Sequence, residues 1–123
     1  MAKPPSQYDE NLDRVAILDR LEGNQELLAE LIQLFLGEAP ELIESMRQAL
    51  QQGNTVELAR TAHSLKGAAS NFSAYGTASA ASKVEIDAKK GDLESAKADL
   101  ATLELFVERL LPELAYLCQV PTE

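Results

Sequence analysis

A single histidine occurs in the 123 residues of this chain: His63, inside the segment ARTAHSLKGAASNF that runs from Ala59 to Phe72. Lys66 follows three places on and Gly67 four places on. Residues three and four apart meet on a helix surface, so a helix here surrounds the imidazole with Ala59, Lys66, Gly67 and Ser70, a small and cationic neighbourhood. An imidazole nitrogen with its lone pair free is a nucleophile, and a nearby ammonium assists it in two ways. Its charge disfavours a second positive charge on the ring, and it neutralises an anion attached to the ring nitrogen. Both effects suit a histidine that receives a phosphoryl group. Gly67 is out of place in a helix interior, where glycine costs about 1 kcal/mol relative to alanine. Close approach of another molecule is one reason to keep it.

Other chemistries lack parts. One histidine with no cysteine or paired acids near it cannot supply a metal's ligand set. Acyl transfer needs an orienting acid and a nucleophile elbow, and neither is recognisable. Gly37, Gly53, Gly67 and Gly91 stand singly, so no glycine-rich loop exists to cradle ATP phosphates. Spacing alone still leaves the plainer alternative open, since a surface histidine beside a lysine arises in many helices by chance.

The rest of the chain must position this helix. Hydrophobic residues make up 46% against 25% charged, enough apolar surface for one folded domain without staples. Few β-branched runs occur and Ala, Leu and Glu dominate, which favours helices over sheet. A net charge of −9 repels phosphate backbones and anionic headgroups, so neither nucleic acid nor a membrane surface is expected as a partner. No apolar run approaches the roughly 20 residues that span a bilayer, and the N-terminus lacks a secretory signal's hydrophobic middle. The expected location is the cytoplasm, with the lone Cys118 outside any internal disulfide.

Periodicity divides the chain into a loose proline-bearing arm at residues 1–9 and a helical domain over residues 10–120. Leu12, Val15, Ala16, Leu18 and Leu21 predict a short helix stopped by Gly23, and Asn24 restarts the chain as an N-cap. Leu27, Leu28, Leu31, Leu34, Phe35, Ile43, Met46 and Leu50 then form a broad stripe, with Pro40 predicting a kink near Gly37 or a break into two helices. Asn54 and Glu57 have capping-box spacing and open the histidine helix. There Leu58, Ala62, Leu65 and Ala69 share the core side, and His63 lies roughly 100 to 160° away from them, facing outward or into a groove edge. Ala78, Ala81, Val84 and Ile86 predict a fourth helix ended by Gly91, with Lys89 and Lys90 as its solvated basic end. Asp92 caps a last helix with Leu93, Ala96, Leu100, Leu103, Val107 and Leu110 inward, which Pro112 is expected to bend or end. Short connectors make neighbours antiparallel, so the predicted architecture is an all-α, up-and-down four-helix bundle with a short additional N-terminal helix.

The set Ala62, His63, Leu65, Lys66 and Gly67, with Val84 and Glu85 further on and the turn at Gly91 and Asp92, closely resembles the histidine-containing phosphotransfer (HPt) family over most of the chain. The resemblance implies a four-helix bundle that carries phosphoryl groups between receiver domains of two-component pathways. By position, it makes His63 the phosphoacceptor, through Nε2, and Lys66 a contact for the phosphoryl oxygens. Gly67 leaves room for the partner's aspartate site, and Ala59 and Ser70 border the docking surface. The implied partners are response-regulator receivers or a hybrid sensor histidine kinase, met by a monomer. No cofactor is implied in this chain, because the receiver holds Mg²⁺ in its own acidic pocket. The alternative is an adaptor bundle that binds a receiver or kinase without carrying phosphate. One position departs from the pattern: six residues after the motif glycine the family commonly has another glycine, where this chain has Ser73. Ser73 is expected to cap the next helix, changing the turn locally.

Overall fold

Helix boundaries fall where a side chain or a left-handed residue satisfies backbone groups that the helix leaves free. The computed structural model describes residues 14–119. It contains α1 (Arg14–Arg20), α2 (Gln25–Gln52), α3 (Thr55–Ser70), α4 (Tyr75–Lys90) and α5 (Leu93–Gln119). The expected arm, Leu12 and the outer limits of the domain lie outside the described residues. Asn24 and Asn54 cap α2 and α3 by accepting from the amides of Leu27 and Glu57. Asp92 accepts from the Ser95 amide at 3.1 Å and from its hydroxyl at 2.8 Å. Gly53 and Gly91 close α2 and α4 in the left-handed conformation, at φ 68° and 73°.

α2 packs on α3, α3 on α4, α4 on α5 and α5 back on α2, which closes the predicted up-and-down bundle, while α1 rests against α2. The inward residues of α5 are Ala96, Leu100, Leu103, Val107, Leu110, Leu114 and Leu117, alternating at three and four residues along the whole helix. α2 repeats the pattern with Leu28, Ile32, Phe35, Ala39, Ile43, Met46 and Ala49. Ile32, absent from the predicted stripe, is fully buried, whereas Leu27 and Leu34 are exposed. The stripe is narrower than the hydrophobic residues alone suggest, because each helix meets its neighbours along one seam. Val15, Ile86 and Leu93 are likewise exposed, and Ile17 carries the contact made by α1.

Neither proline ends its helix. α2 is a single helix through Pro40, so the two-helix alternative falls, and α5 continues past Pro112 to Gln119. Both prolines are exposed, which lets water reach the carbonyl that each leaves unbonded. A proline inside a helix costs roughly 3 kcal/mol. Burying Leu114 and Leu117 contributes roughly 1.5–3 kcal/mol each, enough to carry α5 onward.

The turn between α3 and α4 corrects the expectation for Ser73. It does not cap α4: the N-cap is Ala74, without a side-chain hydrogen bond. Ser73 instead takes φ 58°, the left-handed region that glycine enters most easily. Its hydroxyl accepts from Arg20 Nη2, and Arg20 Nη1 donates to the Ser70 carbonyl at 3.3 Å. α1 thus clasps the end of the histidine helix. Beneath the turn, Phe72 meets Phe35 edge to face with ring centroids 5.4 Å apart.

One pair of acids joins α4 to α5. Asp87 shares a hydrogen bond with Asp99, and this, followed by burial and the charges of Asp99 and Asp92, pushes its carboxyl up to about 6 against the pull of Lys90. Oδ2 of Asp87 is buried without a donor, as expected where a single proton must serve two carboxyl groups. The folded chain keeps this proton between about pH 4 and pH 6 where the unfolded chain has lost it, so this contribution to stability is present at low pH and disappears as pH rises. Asp87→Asn removes the effect. Its Tm should exceed that of the wild type by about 2–5 °C at pH 7.5, with the gap closing by pH 4, measured by thermal circular dichroism.

Candidate functional site

On α3 the inward positions are those the helical wheel selects: Leu58, Ala62, Leu65 and Ala69 are all buried, joined by Thr61. Thr61 satisfies its hydroxyl on the Glu57 and Leu58 carbonyls, so it needs no partner outside its helix. His63 stands on the opposite side with 66% of its side chain exposed. The imidazole is therefore at the surface, held by α3 and open to another molecule.

Its orientation comes from α4. Glu85 points into the α3–α4 seam with 8% of its side chain exposed, and its Oε2 lies 3.1 Å from His63 Nδ1. Oε1 of the same carboxylate lies 3.2 Å from Lys66 Nζ, and Oε2 also receives Lys89 Nζ at 3.0 Å. Burial, the largest single influence, pushes the Glu85 carboxyl up, but hydrogen bonds from Lys89 and Lys66 and their charges together hold it below the usual carboxylate range. Glu85 is accordingly ionised at neutral pH and can only accept hydrogen bonds. The short contact then requires a proton on His63 Nδ1, which leaves the lone pair of the neutral ring on Nε2.

Beside this cluster runs a groove of about 620 Å³ between α3 and α4, whose walls include Val56, Ala59, His63, Ala88 and Lys89. Ala59 thus shares a surface with His63, as predicted. Lys66 is 35% exposed and turned toward Glu85. Ser70 lies one turn beyond Lys66, its hydroxyl donating to the Lys66 carbonyl at 2.9 Å. Gly67 is exposed, and a Cβ built there meets nothing within 4 Å. Internal packing therefore does not demand a glycine. On the other flank of α3, Ser64 lines a smaller hollow of about 290 Å³ with Glu38, Glu41, Leu42 and Ser45 of α2, an acidic wall that the sequence leaves unnamed.

Two residues change standing. Lys89 is not merely the solvated end of α4, because it is ion-paired with the carboxylate that orients His63. Glu85 is 22 residues from His63, beyond any spacing within one helix. A signal for it does exist: Glu85 falls in phase with Ala81 and Ala88 on the buried side of α4, where a carboxylate needs partners. Among the described residues no group of three His, Cys, Asp or Glu side chains is placed to hold a metal ion.

A surface histidine fixed by a neighbouring helix, with a lysine one turn on, is the arrangement against which relatives can be weighed. A model of the Hpt domain matches residues 30–113, about two thirds of the chain. The chain belongs to the Hpt domain family. Hpt domains act in phosphotransfer of two-component signalling, and they interact with receiver domains and kinases. No curated protein and no solved structure matches the chain closely. The matched span of this Hpt domain takes in His63, Lys66, Gly67, Glu85 and Lys89. No helix of its described residues is long and apolar enough to cross a membrane.

Glu85 sets the tautomer of the ring, which can be read directly because the chain has one histidine. Long-range 1H–15N correlation spectra at pH 8 should show the Nδ1–H form in the wild type and a shift toward the Nε2–H form in Glu85→Ala. An unchanged pattern in that variant removes Glu85 from ring orientation.

Proposed function

We propose that this Hpt domain is a phosphocarrier in which His63 accepts a phosphoryl group from a receiver-domain aspartate and passes it to another receiver. The observation that carries this reading is the pairing of an exposed ring with the buried, ionised Glu85 on its Nδ1 side. The Nε2 lone pair attacks phosphorus as the bond from phosphorus to the aspartate oxygen breaks, and the aspartate leaves as a carboxylate. The ring gains one positive charge, and Glu85 holds the Nδ1 proton against it. The reverse reaction delivers the group to the next aspartate. Lys66, one turn from His63 and more than a third exposed, neutralises phosphoryl oxygens.

Such a transfer is mostly positioning and charge neutralisation, so one helix face suffices on this side. The Mg²⁺ that clamps the phosphoryl oxygens belongs to the receiver's acidic pocket. Docking uses the outer face of α3 around Ala59, Gly67 and Ser70. The open space over Gly67 supports this, since a glycine without an internal reason fits a surface that another chain must approach.

Incubation with a phosphorylated receiver and Mg²⁺ should give an acid-labile label on the wild type and none on His63→Gln. Lys66→Ala should take up label about tenfold more slowly with an unchanged helical circular dichroism signal. Binding without any label on the wild type overturns the carrier reading in favour of an adaptor. Gly67→Leu should keep its fold and weaken receiver affinity by about tenfold or more in titration calorimetry, as expected for a side chain placed in a contact surface. Wild-type affinity in that variant excludes Gly67 from the docking face.

A further inference from the structure

The two depressions that flank the outer face of α3 carry opposite charge. Toward α4, the ammonium groups of Lys66 and Lys89 stand against the single carboxylate of Glu85, which leaves one positive charge beside the neutral ring. Toward α2, Glu38 and Glu41 line the hollow over the half-buried Leu42, and no cation stands in its walls. Ser64, the residue after His63, lines both depressions, so they meet on α3 next to the ring.

Glu38 and Glu41 form no ion pair among the described residues, whereas Glu44, Glu57, Glu85 and Glu104 each hold an arginine or a lysine. Three residues apart on one helix face, the two carboxylates repel each other, so the fold gains nothing from having both. A molecule docked over α3 meets this asymmetry at once. A receiver brings its acidic aspartate pocket to His63, where the positive side of α3 accepts it, and the surface beside that pocket then lies over the hollow on α2. We propose that Glu38 and Glu41 select among receivers, admitting those that carry lysine or arginine on the surface meeting α2 and turning away those that carry acids there. This rests on the carrier reading above and adds to it a choice of partner, made by charges outside the reacting groups. Opposite charge speeds encounter and fixes the docked orientation, and like charge across an interface is costly, so the pair acts in both directions.

Two phosphorylated receivers serve as probes, one with a lysine or arginine pair and one with an acidic pair on the surface flanking the aspartate. Each is offered to the wild type and to Glu38→Lys/Glu41→Lys in single-turnover transfer. At low salt the double variant should take label from the basic receiver about tenfold more slowly than the wild type, and from the acidic receiver about tenfold faster. Both differences should shrink in roughly 0.5 M salt, and the helical circular dichroism signal should not change. Wild-type rates with both receivers overturn the assignment, and so does an equal fall with both, which marks damage to the common face and no choice between partners. Phosphoramidate tests the carrier reading separately, because it needs no receiver: Nε2 forms an N–P bond as the donor's own P–N bond breaks and ammonia leaves. Phosphohistidine in the wild type together with unchanged receiver rates in the variant removes this inference and keeps the carrier reading. No phosphohistidine from phosphoramidate or from either receiver overturns both.

Discussion

The buried carboxylate of Glu85 is the constraint around which the surroundings of His63 in this Hpt domain are arranged. Taking a carboxylate out of water is expensive, and the bundle offsets that by bringing two ammonium groups and an imidazole N–H onto its two oxygens. Each partner then inherits a position from the carboxylate. His63 is held with its lone pair on Nε2, Lys66 is kept one turn from the ring, and Lys89 is drawn back from the next turn of α4. Removing any partner leaves a charge less well compensated, so the cluster behaves as a unit and its members' effects will not add.

The scaffold matters because the carboxylate and the ring belong to different helices. α3 and α4 are joined by a tight turn, and their alanine-rich seam lets the backbones lie close enough for Glu85 to span the gap. Ala62, Ala69, Ala81 and Ala88 are all buried along this seam. The turn itself holds Ser73 in a left-handed conformation and is clasped by Arg20 of α1. The glycine common at this position in the family suits the same backbone geometry without the steric penalty of a side chain. Here the side chain provides an acceptor for Arg20, so the short first helix is tied to the end of the helix that bears His63.

Surface and core divide the labour elsewhere. α2 and α5 supply long regular seams whose three-and-four alternation survives a proline in each, because the burial on either side outweighs one lost hydrogen bond. The face of α3 that carries His63 is left to small residues and a glycine without internal contacts, flanked by the groove toward α4 and the acidic hollow toward α2. In the proposed carrier reading, a docking partner meets a firm surface with the exposed His63 ring at its centre, and little ordering remains to be done on this side.

Local rules were enough for much of this molecule. Caps at Asn24, Asn54 and Asp92 and the left-handed stops at Gly53 and Gly91 follow from single residues and their immediate neighbours. The inward set Leu58, Ala62, Leu65 and Ala69 and the outward His63 follow from helical phase alone, which is a property of one helix. What could not be read this way depends on which helices meet. Whether Leu34 and Ile86 are covered is decided by the seam width, Ser73's conformation by a turn that closes over Phe72, and the passage of α5 through Pro112 by the burial of Leu114 and Leu117. The contact between His63 and Glu85 is of the same kind. Periodicity places a carboxylate on the buried side of α4 and Lys89 one turn beyond it, but only the packing of α4 on α3 determines that its other partners are an imidazole and Lys66, because hydrogen bonds between helices depend on register and axial separation that no single segment encodes.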